Sequence, residues 1–159
     1  MKSKLFASCL LAMTSGLALG QSPAPLTNGQ ALYLPIYSHI WHGDADEKSP
    51  PGKLLVSVSV SIRNTDPRKS IRVTSAQYFD TDGKKLKEYV PSPKTIGPMG
   101  TYELFVPRSD DTGGSGANFV ITWKSDVNVN APVVEALHAN IPAGRAIVFT
   151  TTARPIVVD

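Results

Sequence analysis

His39, His42 and Asp44 are spaced His-x-x-His-x-Asp, with Asp46 and Glu47 just beyond, so imidazoles and carboxylates gather here in a form that first-row transition metals accept. What this spacing delivers depends on the backbone. In a turn or helical loop both imidazoles could converge on one ion. On a continuous strand, positions three apart face opposite sides. His39 and Trp41 would then form a strand end, one side chain packed and one solvated, with Asp44 and Asp46 shaping the turn that runs from Gly43 to Pro50-Pro51-Gly52. His138, in Val134-Glu135-Ala136-Leu137-His138-Ala139, completes a metal set only if its strand neighbours the His39 segment; otherwise it is a structural strand residue.

The second concentration of polar chemistry is Ser109-Asp110-Asp111-Thr112-Gly113-Gly114-Ser115-Gly116, followed by Asn118. Its small residues could curl their amides into an anion-binding nest, or Asp110 and Asp111 could hold Ca²⁺, and the two uses conflict. The segment lacks the Gly-x-x-x-x-Gly-Lys-Ser/Thr spacing of a phosphate loop and leads into a strand, where a nucleotide site needs a helix N-terminus. The plainer reading is a flexible connector whose glycines accept unusual dihedrals. Asp110, Asp111 and Asn118 are its ligand-binding candidates. No Gly-x-Ser-x-Gly elbow occurs. Asp80, Asp82, Asp110 and Asp111 all have turn explanations, so no catalytic carboxylate pair stands out, and the chain is expected not to be an enzyme.

The elements that must position these residues are strands. In Leu54–Arg63 the apolar Leu54, Val56, Val58, Val60 and Ile62 alternate with Ser57, Ser59, Ser61 and Arg63, the period of a half-buried antiparallel strand. Ala31–Tyr37, Ile71–Phe79, Lys85–Val90, Thr101–Val106, Asn118–Trp123, Val133–Ala139 and Ala146–Thr152 are further β-rich runs. Asn64-Thr65-Asp66-Pro67, Thr81-Asp82-Gly83-Lys84 and Gly97-Pro98-Met99-Gly100 punctuate them as turns, with positive φ expected at Gly83. No run has a sustained helical period. The spacing predicts an all-β fold, an antiparallel β-sandwich of immunoglobulin-like type with seven to nine strands, an open barrel being the competing architecture.

Length and composition agree: 159 residues suit one domain, and 42% apolar with 18% charged residues suit a folded one. Residues 1–20 carry Lys2 and Lys4, an uncharged apolar run Leu5–Leu19 and small residues at Ala18 and Gly20, the pattern of a cleavable secretory leader. The run is 15 residues long, short of the roughly 20 of a membrane-crossing helix, so no permanent span is expected after cleavage. Cys9 sits at the front of that run rather than its end, which argues against lipid attachment, and cleavage removes the sole cysteine with its disulfide, thiol and Cys-metal chemistry. Without the leader lysines, 14 basic residues face 13 acidic ones, a net charge of +1. The basic side chains are scattered, so nucleic acid is not an expected partner. Residues 21–30, with Pro23, Pro25 and Gly29, read as a flexible tether, and 31–159 as the single domain.

Four blocks, in order, are similar to the exported bacterial family called domain of unknown function 3124: Tyr37-Ser38-His39-Ile40-Trp41-His42-Gly43-Asp44, Ser61-Ile62-Arg63-Asn64-Thr65-Asp66-Pro67, Tyr78-Phe79-Asp80-Thr81-Asp82-Gly83-Lys84, and Gly113-Gly114-Ser115-Gly116-Ala117-Asn118-Phe119. The match runs from about Leu34 to Thr150. The resemblance implies an exported, periplasmic all-β protein and carries no activity, cofactor or functional residues with it. The expectation is therefore a periplasmic or secreted binding or interaction module for a protein or small ligand, without a cofactor; the alternative is a metal-binding protein using His39, His42, Asp44 and His138.

Overall fold

The computed structural model describes residues 25–46 and 49–158, and every regular element among them is a β-strand. The leader expected over 1–20, Cys9 within it and Glu47 lie outside the described residues. Twelve strands are described, against seven to nine expected. They are β1 (Thr27–Pro35), β2 (His39–His42), β3 (Gly52–Leu55), β4 (Ser57–Arg63), β5 (Ile71–Phe79), β6 (Lys85–Glu88), β7 (Lys94–Ile96), β8 (Thr101–Val106), β9 (Asn118–Val129), β10 (Val133–Asn140), β11 (Ile147–Thr152) and β12 (Arg154–Ile156). No helix among the described residues is long and apolar enough to cross a membrane.

The strands form a six-stranded sheet in the order β12-β1-β9-β5-β6, with β7 also on β5, a four-stranded sheet β11-β10-β4-β8, and the separate pair β2-β3. Every pairing is antiparallel, and neither large sheet closes into a barrel. One core draws on both sheets: Leu34, Tyr78, Phe119, Ile121 and Trp123 from the first meet Val58, Val60, Ile62, Val106 and Ala136 from the second. Alternation along β4 causes this. Val58, Val60 and Ile62 are fully buried, while Ser57, Ser59 and Ser61 are half-buried on the opposite face.

Two differences from the sequence reading have physical reasons. The run expected as one strand from Leu54 breaks at Val56, whose amide donates to Ser38 O at 3.0 Å, so Leu54 belongs to β3 and leaves the core face. β9 continues six residues past Trp123 to Val129, and its Lys124 and Val129 pair with Gly29 and Thr27, which draws residues expected in the 21–30 tether into β1. Gly83 has the positive φ expected of its turn, 80°, and in the Gly97–Gly100 reversal Met99 takes a positive φ of 58°.

Beyond the C-terminal end of β4 lies a buried polar knot. Asn64, 2% exposed, donates from Nδ2 to Lys69 O (2.8 Å), Gly97 O (2.9 Å) and Ile96 O (3.2 Å), and its Oδ1 accepts the Asp66 amide at 3.0 Å. Asp66 Oδ1 accepts the Arg68 and Lys69 amides at 2.9 Å each. The Arg68 amide above all holds the Asp66 carboxyl below the usual carboxylate range. This knot ties the loop after β4 to the reversal between β7 and β8.

Candidate functional site

The β2-β3 hairpin pairs only with itself among the described strands, with His39 opposite Leu55, Ile40 opposite Leu54, Trp41 opposite Lys53 and His42 opposite Gly52. His39 and Trp41 therefore share one face, Ile40 and His42 the other. On the first face His39 is 6% exposed and Trp41 52%, their rings meeting edge to face at 4.8 Å. Burial, and then the Lys53 ammonium, hold the His39 imidazole below its usual range, with Asp111 pulling the other way. The two imidazoles do not converge, because β2 is a continuous strand and they stand three residues apart. Asp44 is exposed in the hairpin turn, and Asp46 bridges to Ser49 there.

His138 is fully buried on β10. The Tyr37 amide donates to its Nε2 at 3.1 Å, and its ring stacks on Phe149 at 4.4 Å between centroids. With Nε2 an acceptor, the proton sits on Nδ1, which is buried without a hydrogen-bond partner. Burial is the main cause of a pKa lowered to about 4; the Phe149 and Ala136 carbonyls offset it in part. His138 is therefore a neutral structural acceptor, and among the described residues no three His, Cys, Asp or Glu groups stand together as metal ligands.

The depressed His138 pKa gives a prediction for acid. The unfolded chain takes up the proton near its model value of 6.5, which the folded protein refuses down to about 4. Stability is thus full at neutral pH and falls as pH drops through that window, by about 3 kcal/mol in total. Urea midpoints between pH 7 and 4 should show this slope, and His138→Gln should flatten it, leaving the smaller share of His39, which is shifted in the same direction. An unchanged slope in His138→Gln would assign the acid sensitivity elsewhere.

The Gly-rich loop is tied down by hydrogen bonds, and its Gly114 takes the unusual dihedral expected of these glycines, φ 77°. Gly113 lies so close to the Tyr78 hydroxyl that a Cβ would be 2.0 Å from it. Gly113 O accepts from both the Thr81 amide and Oγ1 at 3.0 Å, and Gly114 O accepts the Ser38 amide at 3.0 Å. The Gly114 amide donates to Asp111 O and the Gly116 amide to Thr81 Oγ1, so these amides face inward and do not form an anion nest. Asp110 Oδ1 accepts the Thr112 hydroxyl at 2.6 Å, closing a local turn. Asn118 enters β9 opposite Pro35 and Phe79. Asp111 instead receives Lys53 Nζ at 2.7 Å, and this exposed pair links the two polar segments singled out in the sequence.

The second face of the hairpin makes a cavity. Ile40 and His42 of β2, Leu54 of β3, Asn140 at the end of β10, Pro142 and Arg145 in the following turn, and Ile147 of β11 enclose about 230 Å³. Asn140 Nδ2 donates to Leu55 O and so docks the hairpin on the end of the four-stranded sheet. The His42 ring lies against Gly52, where a Cβ would come within 2.7 Å of Cε1. A wider groove around Arg72, Lys124 and Asp126 is more open, and the Arg72–Asp126 pair at 2.6 Å occupies it. Of the sequence candidates only His42 contributes to the cavity. Ile40, Leu54, Asn140, Arg145 and Ile147 were missed, because tertiary docking of a hairpin assembles them; the available signal was a His and a Gly flanking one short turn.

The chain belongs to the family described as protein of unknown function (DUF3124), whose profile matches residues 29–156. No curated protein matches it. One solved structure, titled "Crystal Structure of Thermotoga maritima 1070", is similar at 13% identity over 81% of this chain and 96% of that one, with a TM-score of 0.44.

Proposed function

We propose that this member of the DUF3124 family is an exported, immunoglobulin-like β-sandwich that binds a small ligand in the cavity beneath the β2-β3 hairpin, in the periplasm or outside the cell. The cavity carries the reading: apolar walls from Ile40, Leu54, Pro142 and Ile147, with His42, Asn140 and Arg145 among them, are the composition of a small-molecule site. Its lining pairs His42 with no carboxylate, Ser, Thr, Cys or Lys, which favours binding over catalysis. The charged start, short apolar run and small residues before Gln21 support export. Two antiparallel sheets contributing to one core support the sandwich.

The test uses protein recovered from the cell envelope. Its mass should correspond to a chain beginning at Gln21. Hexanamide, an uncharged probe with a six-carbon body, should raise its Tm by a few degrees at concentrations well above the Kd. Leu54→Trp, which fills the cavity from a half-buried position, should keep the Tm of the free protein and lose the response. A leader-bearing product confined to the cytosol would refute export, and a response undiminished in Leu54→Trp would refute binding in this cavity.

A further inference from the structure

We infer that the cavity selects a short aliphatic monocarboxylate, with its chain against Ile40, Leu54 and Ile147 and its carboxylate at Arg145; this rests on reading the cavity as a binding site. The apolar wall fixes the body of the ligand. At about 230 Å³ the space is smaller than the roughly 300–1,000 Å³ of drug-sized sites, so the body is short.

Charge fixes its head. Arg63 and Arg72 each hold a carboxylate, Glu135 at 2.8 Å and Asp126 at 2.6 Å, whereas Arg68, Arg108, Arg145 and Arg154 have no described carboxylate within ion-pair distance, and of these four Arg145 is the one in the cavity lining. A guanidinium presents a planar fork of donors that a carboxylate matches with two parallel hydrogen bonds, and it stays protonated at any physiological pH. Asn140 fixes the hairpin end of the cavity: one of its two Nδ2 hydrogens is committed to Leu55 O, and the amide carries no charge. Arg145 is the one permanently charged group in the lining, so the head group lies at Arg145, while the missing Cβ of Gly52 lets the His42 ring settle against the hairpin. Asp44 and Asp46 sit in the hairpin turn and are not part of the lining.

The experiment compares three probes of equal body, hexanoate, hexanamide and hexylammonium, by Kd on the exported protein. Hexanoate should bind about tenfold tighter than hexanamide, about 1.4 kcal/mol, and hexylammonium most weakly. Arg145→Gln should bring the hexanoate and hexanamide Kd values to within about twofold of each other, and a urea midpoint near that of the native protein shows that the variant is folded. Equal affinity for hexanoate and hexanamide in the native protein, or an advantage that survives Arg145→Gln, would overturn the carboxylate assignment and leave the cavity as a binding site. Failure of all three probes to bind would overturn both.

Discussion

Val60→Asp should abolish folding of the domain, and Ser59→Asp, one residue away, should leave it folded. Val60 is fully buried in β4, between Ala136 of β10 and Leu104 of β8, with both large sheets contributing to the core around it. A carboxylate there has no partner and no water, and burying it costs several kcal/mol even when it protonates, on top of the lost packing. Domains of this size hold roughly 5–15 kcal/mol in all, so the folded state is lost or nearly so. Ser59 lies in register with Leu137 and Phe105 on the outward face of the same sheet, and both neighbours are exposed. A carboxylate at that position remains hydrated, and the change should be within about 1 kcal/mol. Far-UV circular dichroism and urea midpoints check both variants; equal damage from the two would reverse the assigned faces.

Asn64→Leu is the second large effect, with an expected loss of about 3 kcal/mol and a fully folded but weakened domain. The side chain serves three carbonyls through Nδ2 and one amide through Oδ1 while only 2% exposed. Leucine is close in size but offers none of these bonds, and each buried group left unmade costs about 1–3 kcal/mol. The loss exceeds that of an ordinary surface substitution because this side chain joins the loop after β4 to the reversal before β8, and two backbone bonds, Asn64 N to Gly100 O and Met99 N to Asp66 O, keep the two together without it. The urea midpoint should fall with an unchanged m-value. A loss below about 1 kcal/mol would mean that water replaces the side chain in the knot.

Strands whose burial is decided by their own side chains were legible in the sequence. Ile71–Phe79 and Thr101–Val106 have the bounds expected of them, and the Val58-Val60-Ile62 row is buried as its alternation requires. The shortest elements were not. β2, β7 and β12 are three or four residues long, too short to show a period, and Lys124–Val129 reads as polar although its main chain extends β9. The chemistry-bearing residues divide in the same way. The spacing of His39 and His42 left two geometries open, and the continuous strand directs them to opposite faces. His138 is explained by the Tyr37 amide it accepts, a contact between residues 101 positions apart that no local pattern encodes. The cavity depends on Asn140 docking the hairpin, and its apolar members, Ile40, Leu54 and Ile147, look in sequence like ordinary strand residues.

Amide chemical-shift mapping of the isotope-labelled exported protein during a hexanamide titration tests the central claim, that this fold carries a ligand site beneath the β2-β3 hairpin. Saturable shifts should concentrate on Ile40, His42, Leu54, Asn140, Arg145 and Ile147. Shifts spread over the outward face around Phe105, Leu137 and Val148, or none at the hairpin at saturating probe, would contradict it.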